Sequence, residues 1–265
     1  MAQFVRRLTN VLSGALALAL VAGASALLYF AIPGSSGGAN NVAPATTPSS
    51  SSGVAPSPRP CERQTLIGTI VVPRVAARAQ PSSSASVIAT LSKINPQGAP
   101  QVLDLGTAVS DANGGLWYRA VLPIRPNGTA GYIPASAVRI NLTSYRIVVD
   151  REDLLLSLWR LCDVVKTFTI GLGKESTPTP NGAFYIISLL KPPAAGSVYG
   201  DYAYGLSAYS NAITNWKGGG VIGIHGTNDP SSIGDRKSHG CIRLRNEDID
   251  QLVPILPLGT PVEIT

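Results

Sequence analysis

Histidine is nearly missing from this chain, with 2 in 265 residues, and cysteine is scarce, with 3. A zinc site would have to be assembled from His225, His239 and Cys241. His239 and Cys241 stand only two positions apart on a glycine-bearing turn, and no Asp/Glu–His spacing accompanies them, which argues against metal. Charge is also sparse, at 14% against 45% hydrophobic residues, and so apolar a composition points to a membrane segment. Lys and Arg outnumber acids by 21 − 15 = 6, but no dense basic block and no nucleic-acid motif occurs. Nucleic acid is therefore excluded as a partner. A spread basic excess favours anionic surroundings such as lipid headgroups or an acidic envelope. No internal repeat is present.

The N-terminus sets the expected compartment. Arg6 and Arg7 precede "VLSGALALALVAGASALLYFAI", an uncharged run over residues 11–32. About 20 apolar residues suffice to cross a bilayer as a helix. Flanking cations keep residues 1–10 in the cytoplasm and send the rest across. The expectation is a single-pass anchor in the cytoplasmic membrane, with the remainder of the chain outside the cytoplasm. The alternative is a cleaved signal peptide and secretion, with Ala22-Gly23-Ala24 or Ala24-Ser25-Ala26 as the cut site. The continuation "LLYFAI" favours the anchor, and no cysteine follows closely enough for a lipid anchor. Residues 33–60 are almost all Ser, Gly, Ala, Pro, Thr and Asn. They cannot bury a core and read as a disordered spacer.

Two β-rich domains follow, so the fold class is mainly β. In residues 61–140, short runs such as "TLIGTIVV", "SVIATL", "PQVLDL", "LWYRAVLPI" and "AGYIP" alternate with turn signals "PSSSAS", "DANGG" and "RPNGT". Short strands at this spacing suggest a small β-barrel. "ARAQPSSSASVIATL", "WYRAVLP" and "GYIPASAV" resemble the bacterial SH3 family over this domain. Trp117, Tyr118 and Tyr132 either pack its core or line a peptide groove, and the first reading is preferred. In residues 143–265, "YRIVVD", "LLLSLWRL", "DVVKTFTIGL" and "GAFYIISLL" read as successive strands. Residues 191–216, rich in Gly, Pro, Ala and Tyr, read as a loop or flap beside a site. "GVIGIHG" is a short buried strand ending at His225. "NEDIDQLVPIL" begins as a helix capped by Asn246, and "TPVEIT" closes the sheet.

Both histidines and one cysteine fall in one window, "GIHGTNDPSSIGDRKSHGCIRL", over residues 223–244. Thiolate is the strong nucleophile of the common side chains. A nearby imidazole can take the thiol proton and later return it to a leaving amine. Cys241 is the candidate nucleophile, and His225 can reach it if the intervening loop folds back. Gly240 permits an unusual backbone angle. The N–H groups of Gly240 and Cys241 could form an oxyanion hole.

"HGT" followed by "SHGCIRL" resembles the L,D-transpeptidase catalytic domain, the YkuD domain, and "TPTPNGAFYI" extends the likeness over about the last 120 residues. The resemblance implies a β-rich sandwich with a short helix. It makes Cys241 the nucleophile, His225 its acid/base partner and Gly226 the carbonyl that orients His225. His239 becomes a substrate-side or supporting histidine, while Ser238 and Arg243 support the loop, Arg243 also as a holder of a substrate carboxylate. Tyr199, Tyr202 and Tyr204 become candidates for substrate contact. It further implies peptidoglycan stem peptides as partners, no metal or organic cofactor, a thioester intermediate and 3→3 cross-links. Water as acceptor would give a carboxypeptidase. A cell-wall Cys hydrolase of the NlpC/P60 type is a rival, although that class places Cys before His. A wall-binding module with a dead enzyme domain is another, against which the intact motif argues. Cys61 and Cys162 could form a disulfide in an oxidising compartment.

Overall fold

The computed structural model describes residues 64–193, 196–215 and 219–265, all within one unit, Ala55–Thr265. The expected cytoplasmic stretch at 1–10, membrane segment at 11–32, spacer at 33–60 and Cys61 lie outside the described residues. Among the described residues, no helix is long and apolar enough to cross a membrane.

The first domain is a sheet of seven strands: β1 (Thr65–Ile70), β2 (Arg74–Arg78), β3 (Val87–Ser92), β4 (Val102–Ser110), β5 (Leu116–Val121), β6 (Ala130–Pro134) and β7 (Val138–Thr143). Their order is β3-β2-β6-β5-β4-β1-β7. The sheet closes over Ile70, Leu103, Leu122 and Ile133, each at most 1% exposed. The sequence reading missed β2, because "RVAAR" carries alanine where β-branched residues usually signal a strand. Trp117 is buried, and its indole N–H donates to Asp111 Oδ2 at 2.9 Å. That bond fastens the "DANGG" turn, so this ring serves packing.

The second domain is an eight-stranded mixed sheet in the order β10-β9-β8-β17-β12-β13-β14-β16. Its strands are β8 (Tyr145–Asp150), β9 (Leu155–Arg160), β10 (Asp163–Thr169), β12 (Gly182–Leu190), β13 (Ala203–Tyr209), β14 (Val221–His225), β16 (Ile242–Arg243) and β17 (Pro261–Ile264). A two-stranded parallel pair, β11 (Leu172–Gly173) with β15 (Arg236–Ser238), and one helix, α1 (Asn246–Leu252), complete it. Mainly β with one short helix is the composition the sequence implied. Strands β8 and β9 join in a tight turn at 150–153, with Asp150 Oδ1 accepting the N–H groups of Glu152 and Asp153.

Strand β12 ties the two domains together. Phe184 through Ser188 are all buried. Alternate side chains of a strand face opposite sides, so this run needs cover on both. Phe184 and Ile186 enter the main core with Ile147, Leu158, Leu206, Ile224 and Leu252. Tyr185 and Ile187 meet Ile67 and Val102 of the first domain. The Tyr185 hydroxyl donates to Val121 O at 3.0 Å. Full burial of an aliphatic or aromatic side chain is worth about 1.5–3 kcal/mol, so these few residues hold the domains firmly.

Two local readings need correction. The segment read as a flap contains β13, which lies inside the sheet between β12 and β14. Its outward positions are small, and a Cβ on Gly205 would strike Ser188 Oγ at 2.5 Å. Asn246 does not cap α1, whose N-cap is Arg245 without a side-chain bond. The Asn246 Oδ1 instead accepts the Thr227 N–H at 2.9 Å. Glu247 and Asp248 occupy the first turn, where acids suit the helix dipole.

Candidate functional site

The site is laid out by the parallel pairing of β14 with β16. Ile224 lies beside Ile242 and His225 beside Arg243. Continued by one step, this register sets Gly223 beside Cys241, and the Gly223 N–H donates to Cys241 Sγ at 3.4 Å. Residues two apart share a face. His225, Gly223, Cys241 and Arg243 thus form a two-by-two block, with the even-numbered isoleucines pointing into the core at 0% exposure. Gly223 leaves one corner of the block empty. A methyl placed there would lie 3.7 Å from His225 Cδ2 and 3.9 Å from Cys241 Sγ, and 2.9 Å from Tyr204 O. Against the ring and the sulfur a methyl would make only ordinary contact, and it is the Tyr204 carbonyl that demands glycine here.

His225 is 4% exposed. Its Nδ1 lies 2.5 Å from Gly226 O. A carbonyl only accepts, so Nδ1 carries the proton and Nε2 keeps its lone pair. Gly226 thus holds the ring's orientation through its carbonyl. It also has no room for a side chain, since a Cβ would fall 2.2 Å from Asn246 Oδ1. The Tyr202 carbonyl accepts the Gly226 N–H at 3.1 Å, and with Asn246 it braces this turn. Burial holds the imidazole down to about 4, and the Arg243 charge adds to the effect while the Gly226 bond opposes it. Burial likewise pushes the Cys241 thiol up, against the Gly223 N–H and the Arg243 charge. At rest the pair is neutral: thiol beside imidazole.

The turn that carries Cys241 is held from three sides. Ser238 Oγ donates to Cys241 O at 2.6 Å and accepts the Gly240 N–H at 3.1 Å. Gly240 takes φ 115°, a region open to glycine. Thr179 Oγ1 donates to Gly240 O at 2.9 Å and accepts the Gly173 N–H at 3.0 Å. One expectation changes here. The Gly240 N–H is already given to Ser238, so of the two proposed oxyanion donors only that of Cys241 remains.

The other candidates separate clearly. His239 is exposed and lines the groove over the block. Arg243 reaches Asp229 at 3.8 Å, while its buried Nε has no hydrogen-bond partner among the described residues. Tyr199 meets the His225 ring edge to face, with centroids 5.1 Å apart. Tyr202 packs partly on the core under Lys191. Tyr204 cannot touch a substrate through its ring: it is 1% exposed, with its hydroxyl on Leu252 O. Cys241 is a free thiol and Cys162 is disulfide-bonded. Three residues escaped the sequence reading. Thr179 was only one letter of "TPTPNGAFYI", Asn246 looked like a cap and Gly223 like one position of a buried run. Above the block lies a groove of about 620 Å³, whose walls include Leu190, Val198, Tyr199 and Val221.

Comparison with known proteins agrees with this geometry. Residues 144–264 match the family model of the L,D-transpeptidase catalytic domain, YkuD. The L,D-transpeptidase-family protein YkuD of Bacillus licheniformis is 41% identical over 121 residues, covering 46% of this chain and 66% of its own. Its namesake in Bacillus subtilis is 41% identical over 120 residues, 45% and 65%. YqjB of Bacillus subtilis, of the same family name, is 31% identical over 126 residues, 45% and 70%. The chain belongs to the L,D-transpeptidase (YkuD) family. The matched stretch spans just under two thirds of the first two relatives.

Proposed function

We propose that this protein is a peptidoglycan L,D-transpeptidase that works through Cys241. The observation that carries the reading is the placing of His225 and Cys241 on either side of Gly223 at the floor of a peptide-sized groove. Cys241 Sγ attacks the carbonyl of the L-centre of diaminopimelate in a stem tetrapeptide as His225 Nε2 takes the thiol proton. The Cys241 N–H faces the developing oxyanion. The C–N bond then breaks, the His225 proton goes to the departing D-Ala amine, and a thioester remains. The side-chain amine of a second stem attacks that thioester, giving its proton to His225. Collapse expels the thiolate, which the imidazolium reprotonates, and a 3→3 cross-link results. Arg243 favours the transient thiolate and disfavours a long-lived imidazolium. This places chemistry on the substrate's arrival rather than in the resting enzyme.

The same reading makes residues 61–140 an SH3-like module, residues 11–32 a membrane anchor and the wall outside the cytoplasm the site of action. A phosphatase reporter fused after Arg59 should be active only as an exported protein, and a cytoplasmic readout would remove both anchor and wall substrate. The activity is tested by incubating purified protein with a stem tetrapeptide and following mass. Loss of D-Ala with a thioester on Cys241 supports the proposal, and an added acceptor stem should yield the cross-linked dimer. Release of free tripeptide alone would make the enzyme a carboxypeptidase. Cleavage of an internal stem bond would make it a hydrolase, and no reaction would leave a binding module.

A further inference from the structure

The floor of the groove belongs to the second domain, but one wall residue does not. Gln97, from the turn between β3 and β4, lines the same groove as Cys241 and His225. Asn95 fixes that turn. Its Oδ1 accepts the N–H groups of Gln97 at 3.1 Å and Ala99 at 3.0 Å, and Gly98 follows with φ 80°. Asn95 itself is 5% exposed and donates from Nδ2 to Ile187 O of β12 at 2.9 Å. A second grip lies close by. Arg125 donates to Ser210 O at 2.7 Å and to Gly219 O at 3.0 Å, and stacks 4.9 Å over Tyr209. Asn127 pairs both ways with the Tyr209 backbone, at 2.8 and 2.9 Å. Ser210 also lines the groove. Gln97 therefore stands at a fixed place relative to the thiol. It is exposed, and its carboxamide bonds to none of the described residues.

We propose that Gln97 is a substrate-contacting specificity residue lent by the first domain, its carboxamide paired with a main-chain amide of the bound stem peptide. A carboxamide both donates and accepts, which matches a peptide group and discriminates against a bare carboxylate or ammonium. Beside it, Leu190 and Val198 are 54% and 59% exposed. They offer apolar surface to the peptide's aliphatic side chains while Gln97 takes the polar backbone. The inference rests on the transpeptidase reading of the site.

The test compares full-length wild type with Gln97→Ala and Gln97→Glu, using a stem tetrapeptide and thioester formation as the signal. Loss of one neutral hydrogen bond should raise KM about threefold to tenfold, with kcat moving less. Alkylation of Cys241 by iodoacetamide, which is too small to span to Gln97, should keep its wild-type rate. If both variants keep KM within about 1.5-fold of wild type, the contact does not exist. A matching fall in alkylation would equally overturn the proposal, since the thiol itself would then be disturbed. If wild type is never acylated, the transpeptidase reading falls first and this inference with it.

Discussion

Replacing Thr179 by valine keeps the shape of the side chain and removes one hydroxyl. That hydroxyl serves two backbone groups, the Gly240 carbonyl and the Gly173 N–H. Thr179 is 2% exposed. The packing around it is too close for water to step in: a Cβ on Gly173 would fall 2.8 Å from Thr179 N and 2.9 Å from Gly240 Cα. Both groups would stay buried and unpaired. At roughly 1–3 kcal/mol per orphaned group, the change should cost about 2–6 kcal/mol. That is a large share of the ~5–15 kcal/mol that holds a typical domain. Thr179→Ser keeps the hydroxyl and loses one methyl, for about 1 kcal/mol. Urea unfolding of wild type and both variants, followed by tryptophan fluorescence, gives the comparison. Acylation should also slow in Thr179→Val, because the Gly240 carbonyl next to the nucleophile is released. If valine and serine variants unfold within about 0.5 kcal/mol of each other, Thr179 is not the brace described and the support of the Cys241 turn lies elsewhere.

His225→Ala should slow thioester formation by about 10²–10⁴-fold and His239→Ala by less, read by stopped-flow, and the reverse order would reassign the base. Burial raises Asp104 to about 6, so its cost is absent below pH 3.8 and complete above pH 6. Asp104→Asn should then add about 1–3 kcal/mol at pH 7 and nothing at pH 3.5, measured by denaturation at both. The imidazole of His225 is held near 4 against an ordinary 6.5, so the unfolded chain takes up its proton first. Stability from this group is full above pH 6.5 and is lost, by about 3 kcal/mol, as pH falls through 4. The two slopes oppose each other between pH 4 and 6. Asp104→Asn should therefore steepen acid unfolding and His225→Gln should flatten it, and parallel curves for both variants and wild type would refute the assignment.

The proposed pair stood out in the sequence because its motif is local: Cys241 sits in "SHGCIRL" and His225 at the end of an apolar strand. Strands such as β8 and β9 announced themselves by alternation and β-branched or aromatic residues. What escaped depends on contacts between distant segments. β13 was hidden because Ala203, Gly205 and Ser207, alternating along it, look like loop residues when read alone. The Asn246 side chain was misplaced because a cap is a local partner, whereas Thr227 is reached only in the folded chain. The domain contact was unreadable because Tyr185 and Ile187 sit in an unbroken apolar run that does not say which neighbour covers each face. Gly223 gave no signal for a related reason: what matters there is the side chain it lacks.

The pairing of β14 with β16 also separates chemistry from chain length. Neighbouring strands lie about 4.8 Å apart whatever joins them. His225 and Cys241 owe their proximity to that spacing, and not to the fifteen-residue excursion between them, residues 226–240. The excursion can lengthen or change at its exposed positions, such as Asn228 and Ser231, while the braces at Thr227 and Ser238 stay. Each doubling of such a loop costs only about 0.6 kcal/mol in closure entropy. The architecture thus leaves this segment open to variation without moving His225 or Cys241.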